Sequence, residues 1–177
     1  MALDIKIKTN TKQISKRYSR LQSKFPKIFD KGLLQAGFHL LDIIRTKTAK
    51  GIDFRDVPFA SYSESYRKQL QREGKPIKVD LFYSGRMLGA LTPSGRTIRK
   101  TGKGKISVGF SNAQMRQRAL FNQVLNEPKR EFFGFNDRTE KIISKQFNRF
   151  VEKELMKFKL WVFEKILHQT FYPQYQV

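Results

Sequence analysis

Three phenylalanines in four residues, Phe132, Phe133 and Phe135 around Gly134, constrain this chain more than any other stretch. Side chains this large gain most when enclosed, and a glycine among them lets the backbone turn sharply. Directly afterwards the sequence changes period. Ile143, Phe147, Val151, Leu155, Phe158, Val162 and Ile166 recur at three- and four-residue intervals, which predicts an amphipathic helix from Asp137 to about Gln169. The helix opens at Asn136 or Asp137, with Asp137 standing three residues before Glu140 as a carboxylate variant of the capping box. At about 1.5 Å per residue it would run roughly 50 Å. Phe150, Trp161 and Phe163 widen its apolar stripe. A stripe of that length either bends with its helix or packs in part on another subunit. The tail FYPQYQV, with Tyr172 and Tyr175, reads as a docking segment.

The rest of the chain supplies what such a helix would join. Leu3, Ile5 and Ile7 alternate with Asp4, Lys6 and Lys8, the pattern of a half-buried strand. Thr9, Asn10 and Thr11 offer caps to a basic helical stretch over 12–24. Pro26 suits the first turn of a second one, with Phe29, Leu33, Leu34, Phe38, Leu40, Leu41 and Ile44 at helical spacing and Gly51 as its stop. Phe25 and Pro26 either break or merely bend the path between them. His39 reads as a packed or surface histidine, since no second ligand lies near it. An ordered loop around Pro58 leads to a short helix at 63–71, and a turn at Ser84-Gly85 leads through Met87, Leu88 and Leu91 into a strand ending at Pro93. Ile106, Val108 and Phe110 share one face of a strand that follows a glycine-rich basic turn. A long hairpin with its tip at 101–104 follows from that pattern. A polar, helix-compatible segment occupies 111–126, with Ala119, Leu120, Phe121, Val124 and Leu125 as its apolar part. The expectation is one α+β domain over 1–177. Its long N-terminal and C-terminal helices pack on a small antiparallel β-sheet with a basic β-hairpin, divided as a 1–136 core, a 137–170 helix and a 171–177 tail.

Charge narrows the partners. Thirty-six Lys and Arg against 15 Asp and Glu leave a formal net charge of +21, which favours polyanions: nucleic acid, an acidic protein or an anionic surface. The hairpin region 94–105 concentrates that charge in Arg96, Arg99, Lys100, Lys103 and Lys105 with no acid among them, so it is the candidate for phosphate or acidic contacts. A solvated hairpin tip is the plain alternative. With no cysteine, disulfides and thiolate metal sites are excluded. No run of about 18 apolar residues occurs to span a bilayer, and MALDIKIKTN lacks a signal-peptide apolar block, so a cytoplasmic origin is expected.

Motifs for catalysis are missing. There is no nucleophile elbow, no His pair at helical spacing and no dinucleotide fingerprint. The glycines near the hairpin do not make a phosphate-cradling loop, because Lys100 stands five places after Gly95 and Gly104 follows Gly102-Lys103. Neighbouring acids, Asp53 with Asp56 and Glu152 with Glu154, lack a His or Asn cluster nearby in sequence. No cofactor, no metal and no enzymatic activity are expected.

Three blocks, read in order, resemble the phage virion-morphogenesis family, the tail-completion proteins typified by Mu-like contractile-tailed phages. In the Phe54–Lys68 block, Pro58, Ser61, Tyr66 and Lys68 are similar to that family's proline, serine, tyrosine and lysine after its long helix. Within Leu81–Leu91, Ser84-Gly85-Arg86-Met87-Leu88 resembles a Thr-Gly-x-Leu-like turn before a short strand. The most specific block is Pro128-Lys129-Arg130-Glu131-Phe132-Phe133-Gly134-Phe135, close to a Pro-Arg-Glu-Phe-Phe-Gly-Leu signature before a helix. The similarity covers roughly residues 25–145. It departs where the family carries a His-Gln pair and a glycine, here Phe121-Asn122-Gln123-Val124, and in the longer C-terminal helix.

The resemblance implies a structural subunit of the virion, made in the host cytoplasm. It would complete the tail or join head to tail as a homo-oligomeric ring of six-fold or twelve-fold symmetry in the neck. Its partners would be the connector or adaptor, the tail tube and, without sequence preference, DNA in the channel. No membrane is involved. On that reading the basic hairpin faces the DNA channel or an acidic neighbour. Phe132, Phe133, Phe135, Phe158, Trp161, Val162, Ile166, Tyr172 and Tyr175 are then candidate assembly or docking residues. Two other classes compete: a free, sequence-independent nucleic-acid-binding protein and a metal-dependent nuclease.

Overall fold

The computed structural model describes residues 11–82, 84–94 and 96–158, apart from the side chains of Thr11, Lys12 and Ile14. The expected strand at 3–8, the helix and tail beyond Phe158, and with them Trp161, Val162, Ile166, Tyr172 and Tyr175, lie outside the described residues. The fold is α+β and mostly helical. In order come α1 (Thr11–Lys50), α2 (Glu64–Arg72), α3 (Arg86–Gly89), β1 (Ile98–Gly102), β2 (Lys105–Val108), α4 (Ala113–Leu120), a π-helical turn (Phe121–Leu125) and α5 (Asp137–Met156). A long N-terminal helix, a C-terminal helix and a small two-stranded antiparallel sheet are therefore present as expected.

α1 decides between the two readings at Phe25 and Pro26, because the two helical stretches are one helix with Pro26 inside it. A proline in mid-helix leaves the carbonyl four residues earlier without its donor and crowds it. Residues 22–27 are all exposed, so water can satisfy the carbonyl of Gln22. Leu21 and Ile28, seven residues apart and both buried, keep one apolar stripe running past the proline. α1 ends where Gly51 takes a φ of +81°. Gly51 N–H donates to Thr48 O at 2.9 Å and Ile52 N–H to Lys47 O at 3.0 Å, the paired bonds of a Schellman stop.

Two compact units divide the chain: the described residues up to Gly32 with those from Asn148 on, and Leu33–Phe147. In the first, Leu21, Ile28, Val151 and Leu155 are the buried apolar residues. α5 ends at Met156, and Phe158, half-buried, donates its N–H to Leu155 O at 2.9 Å in a turn.

In the second unit Leu41 and Ile44 of α1 join Met87, Leu88, Leu91, Ile98, Met115, Ala119 and Phe132 in one core. Leu34 and Phe38, expected on the apolar face of α1, are instead exposed. Gly37 marks the true face: a Cβ there would meet Ile106 Cδ1 at 3.0 Å and Ile98 Cγ2 at 3.1 Å, so the helix packs tightly on the hairpin. The segment after Ser84-Gly85 is the short helix α3, not a strand. Positions 87, 88 and 91 fall on one side of a helical turn, and all three side chains are buried.

Candidate functional site

The hairpin forms where the alternation places it. β1 and β2 pair antiparallel with Ile98 opposite Val108, Arg99 opposite Ser107 and Lys100 opposite Ile106, and a register shift follows before Gly102 meets Lys105. Gly104, at φ +68°, makes the turn. Buried Thr97 anchors its base. The hydroxyl donates to Thr92 O and accepts from Ser94 N–H at 2.8 Å, while Gly109 N–H donates to Thr97 O at 2.8 Å. Ile98, Ile106, Val108 and Phe110 turn to the core, and Arg96, Arg99, Lys100, Lys103 and Lys105 are all exposed. Arg99 Nε donates to Arg96 O at 3.2 Å, a local bond that leaves the cationic face outward.

The phenylalanine cluster divides by role. Phe132 is 1% exposed at the centre of the core. Phe133 is half-buried, its ring 6.3 Å from Phe132 and 5.6 Å from Phe110 between centroids. Phe135 is 56% exposed and takes no part in the buried cluster. Gly134 lies against the Phe54 ring, and the chain turns outward there. The Gln123 side chain fixes Phe133 from both sides, its Nε2 donating to Phe133 O and its Oε1 accepting from Phe133 N–H, each at 3.0 Å.

A polar lattice holds this segment to the end of α1. Lys47 Nζ lies 2.7 Å from Asp56 Oδ1 and donates to Phe54 O and Thr139 Oγ1, each at 3.2 Å. Asn136 donates to Asp56 Oδ2 at 2.7 Å and caps α5 by accepting from Thr139 N–H at 2.9 Å, so Asn136, not Asp137, is the cap. Asp53 is buried and accepts from the N–H groups of Arg55 and Val57, while Arg55 also pairs with Glu131. The acids Asp53 and Asp56 therefore serve the loop's own architecture. Asp56 sits at φ +72°, a left-handed conformation that Asp tolerates better than most residues. Its carboxyl is held below the ordinary carboxylate range, first by the bond from Lys47 and next by Asn136.

Beside this lattice opens a cleft of about 470 Å³, walled by Tyr62 and Tyr66, by Leu81, Gly85 and Met87, and by Arg118, Phe121, Glu127 and Arg130. Ser63 starts α2 at its edge, its hydroxyl accepting from Tyr66 N–H. Arg130 is 7% exposed. It donates to Ala60 O and Ser61 O at 3.4 Å and to Pro128 O at 3.5 Å, and its guanidinium lies 5.0 Å from the Tyr62 ring centroid. Its Nε is buried with no hydrogen-bond partner, and no carboxylate among the described residues pairs with it. Burial, with Tyr66 adding to it, pushes the Tyr62 hydroxyl above its usual range. The peptide bond between Glu127 and Pro128 is cis.

The π-helical turn forms the outer lip, with Asn126 N–H reaching back to Phe121 O at 2.7 Å. Leu120, Phe121, Val124 and Leu125, the apolar part of this segment in the sequence, are each about half exposed. Arg130, between Lys129 and Glu131, is the residue to which sequence reasoning gives no role beyond its place in the Pro128–Phe135 block. The available signal was its place two residues before Phe132, so that alternation carries it to the buried side.

Among the described residues no helix is long and apolar enough to cross a membrane, and no three His, Asp or Glu side chains are grouped to hold a metal ion. Compared with known family models, curated proteins and solved structures, the chain finds no match.

Proposed function

We propose that this chain is a structural subunit of a tailed-phage virion, completing the tail or joining head to tail as a ring subunit in the neck. The observation that carries the reading is convergence. The three blocks behind the resemblance are far apart in sequence, yet they meet around one loop. Phe54 N–H donates to Glu131 O at 3.1 Å, Gly134 abuts the Phe54 ring, and Arg130 binds the carbonyls of Ala60 and Ser61. Leu81, Ser84 and Gly85 line the same cleft as Arg130. Residues that assemble one place are those a shared fold would keep together. The uncovered run from Leu120 to Leu125 adds an apolar surface suited to assembly.

Light scattering on the full chain, with negative-stain images at high concentration, tests the proposal. Closed rings of six or twelve copies are the expected result. The second reading, a free nucleic-acid-binding protein, draws on the exposed acid-free hairpin. It is favoured if the chain stays monomeric at every concentration and binds DNA with a steep salt dependence.

A further inference from the structure

We propose that the cleft around Arg130 is a carboxylate-binding site that takes an acidic side chain from an extended segment of a different, acidic protein. An arginine stays charged in any protein environment, and a buried cation is ordinarily neutralised by a paired anion. Arg130 is nine-tenths buried, its Nε is unpartnered, and its three bonds to carbonyls are long, at 3.4–3.5 Å. A guanidinium offers parallel N–H groups that match the two oxygens of a carboxylate, and the terminal nitrogens of Arg130, held only by long carbonyl bonds, are the ones to exchange those bonds for it. Arg118, exposed, lining the same cleft and without an ion pair among the described residues, supplies a second cation.

Shape and surroundings favour a peptide over nucleic acid. The recess, at about 470 Å³, lies in the range of small-ligand pockets and does not admit a duplex. Glu127 on the wall opposes a string of phosphates, while the two arginines of the same lining outweigh it for a single carboxylate. Tyr62, Leu81, Met87 and Phe121 provide apolar walls for the residues flanking it, and Phe121 belongs to the exposed apolar run with Leu120, Val124 and Leu125. The charge balance points away from a second copy. With 15 acids against 36 basic residues, and Asp53, Asp56, Glu64, Glu73, Glu131 and Glu154 already in ion pairs, this chain has few carboxylates to lend. The proposal stands apart from the ring reading and survives if no ring forms.

Fluorescence anisotropy on the full chain tests it, with a labelled peptide carrying leucine-glutamate-leucine between glycine-serine flanks. Saturable binding is expected, weakened about tenfold or more when the peptide glutamate becomes glutamine and by a similar factor in Arg130→Gln. Arg130→Lys, which keeps the charge and loses the fork, should fall between. Lys141→Gln, an exposed cation on α5, controls for bulk charge and should leave affinity unchanged. If circular dichroism shows Arg130→Gln unfolded, Arg118→Gln and Glu127→Gln decide, the first weakening and the second tightening the complex. Absence of saturable binding up to millimolar protein overturns the proposal, as does equal loss in Lys141→Gln. Displacement of the peptide by oligothymidylate, lost in Arg130→Gln, would assign the cleft to nucleic acid instead. Competition by a peptide of this chain's own acidic segment, over 127–140, at equal affinity would assign it to a second copy.

Discussion

A Cβ placed on Gly134 would stand 2.9 Å from Phe54 Cγ, closer than side-chain atoms approach one another, while the backbone of Gly134 itself is unstrained. The glycine is therefore there for space. Gly134→Ala should destabilise the chain by about 1–3 kcal/mol, the usual cost of overpacking, in urea unfolding. Phe54→Leu in the same molecule should return part of that loss. A strictly additive double variant would show that the two residues do not press on one another.

The divided phenylalanine cluster makes a contrast within four residues. Phe132→Ala empties the middle of the core and should cost about 3–5 kcal/mol. Phe135→Ala, at an exposed position, should change the stability of the isolated chain by no more than about 0.5 kcal/mol. Thermal melts of the two variants side by side check this, and similar losses in both would contradict the assignment of Phe132 as the anchor.

Acid should release the Lys47–Asp56 link. The folded carboxyl titrates below the ordinary value of 3.8, so its contribution is fully present above that value and is lost as pH falls through the lower folded one. Asp56→Asn keeps a residue that tolerates the left-handed backbone and removes the charge. The stability gap between the two proteins should be constant from about pH 5 to 7 and narrow below about pH 4. A gap that widened on acidification would reverse the sign of the argument.

What could be read in the sequence was what neighbours decide. Alternation at Ile106 and Val108 with a glycine-rich turn marks the hairpin, Ser63 marks the start of α2, and Gly51 marks the end of α1. Local signals failed where a distant contact or the solvent decides. Pro26 reads equally as a break or a bend because its cost is local, and its exposed surroundings let the helix continue. Arg130 gets no role from its neighbours in sequence, since its partners Ala60, Ser61 and Tyr62 come from a loop far earlier in the chain. Gln123 looks like an ordinary polar residue until Phe133 folds back against it. The apolar lip is hidden for the same reason: Leu120 and Phe121 have helical spacing from Val124 and Leu125, which predicts burial, and only the packing around them leaves that face uncovered.

The basic hairpin should be dispensable for folding and needed for charge. Arg96, Arg99 and Lys100 are exposed, and β1 is held by its backbone pairing and by Ile98 in the core. Changing all three to Gln should therefore alter stability by no more than about 0.5 kcal/mol per site. If the hairpin meets DNA phosphates, each lost cation removes a released counterion, and the slope of log affinity against log salt should become shallower by about 0.9 per contact, up to about 2.7 for the triple variant. On the proposed virion reading, charge reversal of the same three residues should go further and block DNA delivery by assembled particles. A reversed variant that still assembles and delivers DNA normally would remove the hairpin from the channel. An unchanged salt slope in the neutral variant, with DNA binding intact, would place the phosphate contacts elsewhere on this strongly cationic chain.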